Sequence, residues 1–416
     1  MWKRNLIVAL LLIVILSVIA CGIYQIHYVN QRLSWRVDFA ATYLRGIIHP
    51  AGKMPTPLPP PAVAITSHPQ PTATKTAKKI IPALTVTITR LVSTPTMVSL
   101  PQAMKLNAPQ WERQDINNCG PAALTMYLRY YGWTGNQLEI ANILKPQRHD
   151  RNVNIDELAY YVRNYTGWLN AEYRVGGDIL LLKKFIAAGI PVMIEETFYF
   201  ESPYWPNDDL WAAHYNLLTG YDDSEQFFIS QDSYYGSNQQ VSYQRLDEYW
   251  QSFNRVYLLV YPPDKESTVI SILGKEWDVD TNRQHALEKS MQETQTDSNN
   301  AFSWFNLGSG LVWFERYDEA AKAFDQARQI GLPQRMLRYQ FGPFFAYFHA
   351  GRNEDLLALT KYALQRTPTS EEALLWHGWA LYRNGKINEA VIEFQKALAE
   401  NPNYLDAKRA LQFVGQ

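Results

Sequence analysis

The chain is poor in cysteine, in net charge and in the glycine-rich signatures of nucleotide sites. Only Cys21 and Cys119 occur in 416 residues. No Cys/His cluster has zinc spacing, and neither a P-loop nor a glycine-rich dinucleotide turn is present, so metal and nucleotide chemistry are unsupported and no cofactor is expected. A formal net charge of −1 gives no argument for a nucleic-acid or acidic-surface partner. Aromatic residues are plentiful instead, at 13% with 13 Trp and 26 Tyr. They suit either aromatic-rich helical packing or a binding cleft.

The length allows two or three domains, and composition divides the chain. In 1–49, Trp2-Lys3-Arg4 precedes an apolar run from Leu6 to about Tyr24. The run is long enough to cross a bilayer, and the Lys/Arg pair predicts a cytoplasmic N-terminus with everything after it exported. Val18-Ile19-Ala20-Cys21 loosely resembles a lipoprotein cleavage box, so a lipid anchor at Cys21 is the alternative to a signal-anchor helix. If Cys21 lies in the membrane it cannot pair with Cys119, the only thiol of the folded part. Arg32–Ile48 reads as a short amphipathic juxtamembrane helix. Residues 50–100 are rich in Pro, Thr, Ala and Ser and are expected to be an extended spacer without a core, in which only Leu84–Thr89 alternates like a strand.

Residues 101–263 read as one α+β domain. Helices are expected at Gly120–Tyr131, Gln137–Leu144, Ile155–Tyr165 and Ile179–Ala188. Strands follow at Pro191–Thr197, His214–Tyr221, Gln226–Asp232 and Arg255–Tyr261, with a helix at Tyr243–Phe253 before the last. Helices first and strands afterwards imply an antiparallel sheet rather than alternating βαβ units. The aromatic, proline-bearing segment Phe198–Trp211 is a candidate cleft wall or lid. From 277 to 416 the period changes. Gly308, Gly342 and Gly378 recur at spacings of 34 and 36 residues, and Pro333, Pro368 and Pro402 at 35 and 34. Small residues where paired helices touch and proline at unit boundaries are what stacked helical hairpins need. This section resembles tetratricopeptide repeats, about three of them. Asp280–Thr294 forms a preceding half-repeat, Asp406–Val414 a cap, and the middle unit Arg335–Ser370 is degenerate.

The chemistry concentrates at Gln114–Leu124. Cys119 stands where a loop becomes a helix, since Pro121 fits a first helical turn and Leu124, Leu128 and Tyr131 carry a helical apolar spacing. A thiol at a helix N-terminus is favoured as the thiolate. Asp222-Asp223-Ser224-Glu225 is a turn sequence. If those residues close a hairpin, facing positions sum to about 447 and His214 lies beside Ser233 and Asp232. That pair serves a cysteine nucleophile: His214 moves the proton and Asp232 orients the ring. The Gln114 amide and the Cys119 backbone N–H could stabilise an oxyanion. The bland reading of the same residues is a satisfied strand histidine, a turn-capping aspartate, a surface glutamine and a buried cysteine. His149-Asp150 reads as a solvated loop, and Glu195-Glu196 as flanking a strand end, where they would tune the cleft.

Gln114–Leu124, His214–Asp223 and Asp232-Ser233-Tyr234-Tyr235-Gly236 together resemble the C39-type, papain-like cysteine peptidase superfamily over about 160 residues. The resemblance implies Gln114 as oxyanion donor, Cys119 as nucleophile, His214 as base and Asp232 as orienter. Asp232-Ser233 departs from the Asp-Pro common in that family. The expected function is a membrane-tethered extracytoplasmic cysteine peptidase. Its partners are a peptide or protein substrate, a protein held by the repeats, and the membrane at the N-terminal helix. The other reading is a catalytically inactive peptidase-like module on an interaction scaffold. Hydrolysis and acyl transfer leave the same motif.

Overall fold

The computed structural model describes residues 2–24, 27–48, 50, 52–58, 100–147 and 152–415. The strand-like Leu84–Thr89 and the loop at His149-Asp150 lie outside these residues, as does most of the proline-rich segment. Two helices come first, α1 (Trp2–Tyr24) and α2 (His27–Ile48). α1 is described only in part at the side-chain level. Among the described residues no helix is long and apolar enough to cross a membrane, so the structure adds no support to the signal-anchor expectation for Leu6–Tyr24.

The next unit is helices packed on an antiparallel sheet. Its elements are β1 (Ala103–Lys105), α3 (Cys119–Tyr130), α4 (Gln137–Leu144), α5 (Ile155–Tyr161), β2 (Asn170–Arg174), α6 (Ile179–Ala187), β3 (Val192–Tyr199), β4 (Trp211–Asp222), β5 (Phe227–Asp232), β6 (Gly236–Ser242), α7 (Tyr243–Trp250), β7 (Tyr257–Tyr261) and α8 (Glu266–Leu273). The sheet order is β2-β7-β3-β4-β5-β6, with β1 also on β4. β3 and β7 are buried almost throughout because helices cover the sheet. Leu182, Phe185 and Ile186 of α6 fill the core on one side, and Leu124, Tyr127 and Leu128 of α3 fill it on the other.

The β4–β5 hairpin differs from the register expected. Asp222 pairs with Phe227, so the turn is residues 223–226, one position later than the sequence suggests. The Asp222 carboxylate stays at the strand end and accepts from the Ser224 amide at 2.9 Å, closing an Asx turn. A bulge between Leu218 and Gly220 then removes one residue of offset, and Asn216 faces Asp232. Facing positions therefore sum to 448 beyond the bulge, not 447. The parity matters, because His214, two residues from Asn216, shares a face with Asp232.

The chain continues into paired helices: α9 (Val279–Thr296), α10 (Ala301–Trp313), α11 (Tyr317–Ile330), the short α12 (Met336–Tyr339), α13 (Gly342–His349), α14 (Asn353–Arg366), α15 (Glu371–Arg383), α16 (Ile387–Glu400) and α17 (Leu405–Phe413). In two hairpins a glycine admits the ring of the partner helix. A Cβ on Gly308 would lie 2.7 Å from Phe324, and one on Gly378 would lie 2.5 Å from Phe394. Gly342 does a different job, since it opens α13 and meets Phe324 of the preceding hairpin. Gly378→Ala is therefore expected to destabilise the third hairpin by about 1–3 kcal/mol through overpacking. Urea unfolding of the chain checks this, and an unchanged midpoint would show the contact to be slack.

The array is fused to the α+β unit. Val175, Trp211, Phe253 and Val256 share one core with Ala286, Leu287 and Phe305. The Asn282 side chain accepts from the Val175 amide at 3.1 Å and donates to the Val175 carbonyl at 2.9 Å, as a further strand would. Arg255 bridges Asp247 and Glu293 at 2.6 and 2.7 Å. The described start of the proline-rich segment is no spacer either. Met54 is buried in the core that includes the array, because residues 52–58 lie against it.

Candidate active site

Cys119 is the first residue of α3, and the loop before it is built around one side chain. Gln137 Oε1 accepts from the Asp115 amide at 2.7 Å and from Asn118 Nδ2 at 2.6 Å. Its Nε2 donates to the Arg113 carbonyl at 2.7 Å and to Glu112 at 2.9 Å. With both ends of a buried amide satisfied, the loop 112–118 has little freedom. Asn117 takes a φ of 52°, a left-handed conformation that asparagine tolerates. Its carbonyl accepts from Lys145 Nζ at 2.7 Å, which brings a positive charge toward the thiol.

His214 of β4 is buried between Cys119 and Asp232. Its Nε2 lies 3.1 Å from Asp232 Oδ1, and the imidazole hydrogen-bonds the Cys119 thiol, which leaves Nδ1 for the sulfur. Asp232 Oδ1 also accepts from the Tyr234 and Tyr235 amides at 2.7 and 3.0 Å. Burial alone would raise the Asp232 carboxyl. The charge and hydrogen bond of His214 and these two amides hold it below the usual carboxylate range. Burial would lower His214, but Asp232 and the thiol push it up to about 10. Burial would raise Cys119, yet the hydrogen bond and charge of His214, the Tyr215 amide and the charge of Lys145 hold it below its ordinary value. Both shifts favour a thiolate–imidazolium pair over a neutral thiol and imidazole.

Gln114 lies at the same cavity. Its amide N–H donates to the Ser233 carbonyl at 3.0 Å. The Ser233 hydroxyl donates to Gln114 Oε1 at 2.9 Å, so the amide NH₂ is the end left to act as donor. Ser233 thus does what a proline there could not do. The cavity encloses ≈ 240 Å³ and is lined by Cys119, His214, Gln114, Phe200, Tyr204 and Tyr339 among others.

Three features of the site were not legible in the sequence. Glu195 and Glu196 do not flank a strand end. They sit inside β3, buried, opposite Tyr215 and His214. Burial raises both carboxyls. Asn216 Nδ2 donates to Glu196 at 2.7 Å and lies 3.5 Å from Asp232, extending the His214–Asp232 network by two residues. Tyr339, from α12 of the helical array, reaches the cavity wall. Segment Phe198–Trp211 is a fixed wall. Asp208 makes a bidentate pair with Arg335 at 2.6 Å for each bond. The Arg335 guanidinium lies 3.9 Å from the Trp205 ring centroid, and Trp205 Nε1 donates to Gln334 at 2.6 Å.

Comparison with known proteins adds a family for part of the chain. Residues 104–259 match the Peptidase_C39 like family. Among solved structures, the peptidase domain of Streptococcus ComA, a bi-functional ABC transporter, is 14% identical with a TM-score of 0.30, covering 38% of this chain and 99% of that one. A double glycine motif protease from an AMS/PCAT transporter, in complex with the leader peptide, is 20% identical with a TM-score of 0.28, covering 38% and 94%. MamA from Desulfovibrio magneticus RS-1 is 15% identical with a TM-score of 0.30, covering 36% and 80%. No curated protein matches the chain.

Proposed function

We propose that this protein is a membrane-tethered, extracytoplasmic cysteine peptidase. Its papain-like α+β domain acts through Cys119, His214 and Asp232, and its tetratricopeptide array recruits substrate or a protein partner. The observation that carries the catalytic reading is one imidazole joining a helix-start thiol on one side to a buried carboxylate 3.1 Å away on the other. The Cys119 thiolate attacks the scissile carbonyl carbon. The oxyanion is held by the Cys119 backbone N–H, which no preceding helical carbonyl takes, and by the Gln114 NH₂. The imidazolium of His214 gives its proton to the leaving amine as the C–N bond breaks, leaving a thioester. His214 then removes a proton from water, which attacks the thioester, and the carboxylic product departs with the thiolate restored. Asp232 holds the ring in the one tautomer that serves both steps.

Support for the tether comes from Trp2-Lys3-Arg4 ahead of the apolar run Leu6–Tyr24, and from apolar side chains such as Leu11, Val14 and Val18 of α1 that are more than half exposed. A lipid anchor at Cys21 would place the domains on the same side. The test is turnover of a peptide library by the purified chain. Cys119→Ala and His214→Ala are each expected to abolish cleavage, and full turnover in either variant would overturn the reading.

A further inference from the structure

The helical array holds a ligand of its own. Residues 52–58, Gly-Lys-Met-Pro-Thr-Pro-Leu, lie against α11 and α14. They are held mainly through their carbonyls. Arg366 Nη2 donates to the Gly52 carbonyl at 3.0 Å. Arg328 donates to the Pro55 carbonyl from Nε at 3.0 Å and from Nη2 at 2.6 Å. Arg352 Nη2 lies 3.4 Å from the Leu58 carbonyl, and the Leu58 amide donates to Asp355 at 3.2 Å. The carbonyls read are those of residues 52, 55 and 58. A spacing of three residues is the turn of a polyproline II helix, which brings such carbonyls to one side. That conformation makes no internal hydrogen bonds, so its carbonyls are available to outside donors.

The site is preassembled. The Arg328 side chain is buried and also donates to Asp355 at 3.0 Å and to the Tyr347 hydroxyl at 2.9 Å. Arg352 donates to the same Asp355 at 2.7 Å. These ion pairs belong to the array alone and hold the donors in place whether or not the segment is seated. Met54 is the single apolar anchor, buried in the adjoining core. The segment buries little else, since Gly52, Lys53, Thr56 and Leu58 are exposed. A small anchor on a rigid set of donors is the design of an exchangeable peptide site.

We propose that the face built by Arg328, Arg352, Asp355 and Arg366 is a receptor for an extended, proline-punctuated peptide, that residues 52–58 are its resident ligand, and that a free peptide of the same chemistry replaces them. A docked segment resists proteolysis because a protease needs several residues of undocked chain. The Lys53–Met54 bond therefore reports release. The experiment follows cleavage at that bond in the full chain by a lysine-specific protease, with and without a synthetic peptide of residues 52–58 carrying Gln in place of Lys53. Free peptide at ten times its dissociation constant is expected to speed cleavage about tenfold, because the open population grows as one plus the ratio of ligand to dissociation constant. A scrambled peptide should leave the rate unchanged, and Arg328→Ala should raise it without any peptide. A rate that the matching peptide does not alter, or that already equals that of an unfolded segment in the native chain, overturns the proposal. Because the readout is an added protease, the outcome does not depend on whether Cys119 is catalytic.

Discussion

Iodoacetamide is expected to alkylate Cys119 at pH 6 faster in the native chain than in a His214→Ala variant, by roughly three- to tenfold for each unit that the thiol value rises. The thiolate is the reacting species, and an unperturbed thiol of pKa about 8.5 is ionised to well under about 1% at pH 6. In the native site the thiol lies below its ordinary value while His214 lies near 10. Between those two values the thiolate–imidazolium pair persists. As pH falls through the lowered Cys119 value, the thiolate gains a proton and the rate declines. Removing His214 strips away both its hydrogen bond and its charge. Burial then acts against only the Tyr215 amide and Lys145, and the thiol value rises. A more basic thiolate is intrinsically a better nucleophile, and this recovers part of the loss. Mass-spectrometric labelling rates from pH 5 to pH 9 measure the effect. Equal rates at pH 6, with the profile of free cysteine in both proteins, would dismiss the ion pair and favour the inactive-scaffold reading.

Arg335→Ala is expected to destabilise the chain by about 3–5 kcal/mol, the cost of leaving a buried carboxylate without its partner. Both side chains of the Arg335–Asp208 pair are almost wholly buried. The buried Asp208 carboxyl would otherwise be raised, and the bidentate bonds of Arg335 bring it below its ordinary value. The same guanidinium donates to the Trp211 carbonyl at 3.1 Å and stacks on Trp205. The variant thus loosens the cavity wall and the seam between the array and the α+β unit together. A double variant, Asp208→Asn with Arg335→Met, removes both charges while a side-chain oxygen remains to accept from the Tyr204 and Leu210 amides, and should recover most of the loss. Urea unfolding decides the matter: a single variant within about 0.5 kcal/mol of the native chain would show that water replaces the lost partner.

Much of this was legible because the strong signals are local. Leu124, Leu128 and Pro121 mark α3, and the expected helix at Gln137–Leu144 matches α4 residue for residue. Gln114, Cys119, His214 and Asp232, named from local chemistry, lie at or beside one cavity. The antiparallel layout followed from the order of elements. What escaped were features without a periodic signature. β6, Gly-Ser-Asn-Gln-Gln-Val-Ser, is a polar edge strand that reads as loop. β2 is another edge strand, five residues long. The bulge at Leu218/Gly220 leaves no trace in the apolar pattern, yet it sets the face on which Asp232 lies. Glu195 and Glu196 looked like residues flanking a strand end because their partners, Tyr215 and Asn216, belong to the neighbouring strand. Arg335 sits in the most degenerate repeat, where an eye tuned to glycine and proline spacing passes over it. Met54 is one apolar residue in a proline-rich tract, and only its burial shows that the tract is held.

That seating changes what the proline-rich tract can govern. Ile48 ends α2, Gly52 is already fixed to Arg366, and the stretch between them spans about 14 Å at full extension. A Cβ on Gly46 would lie 2.5 Å from the Trp205 Cβ, so α2 rests directly on the cavity wall. Contacts at Gly46 and at Gly52 therefore hold the end of α2 close to the folded body. Because both contacts precede residue 59, changing the number of residues between Leu58 and Leu100 is expected to leave the distance between α2 and the cavity unaltered.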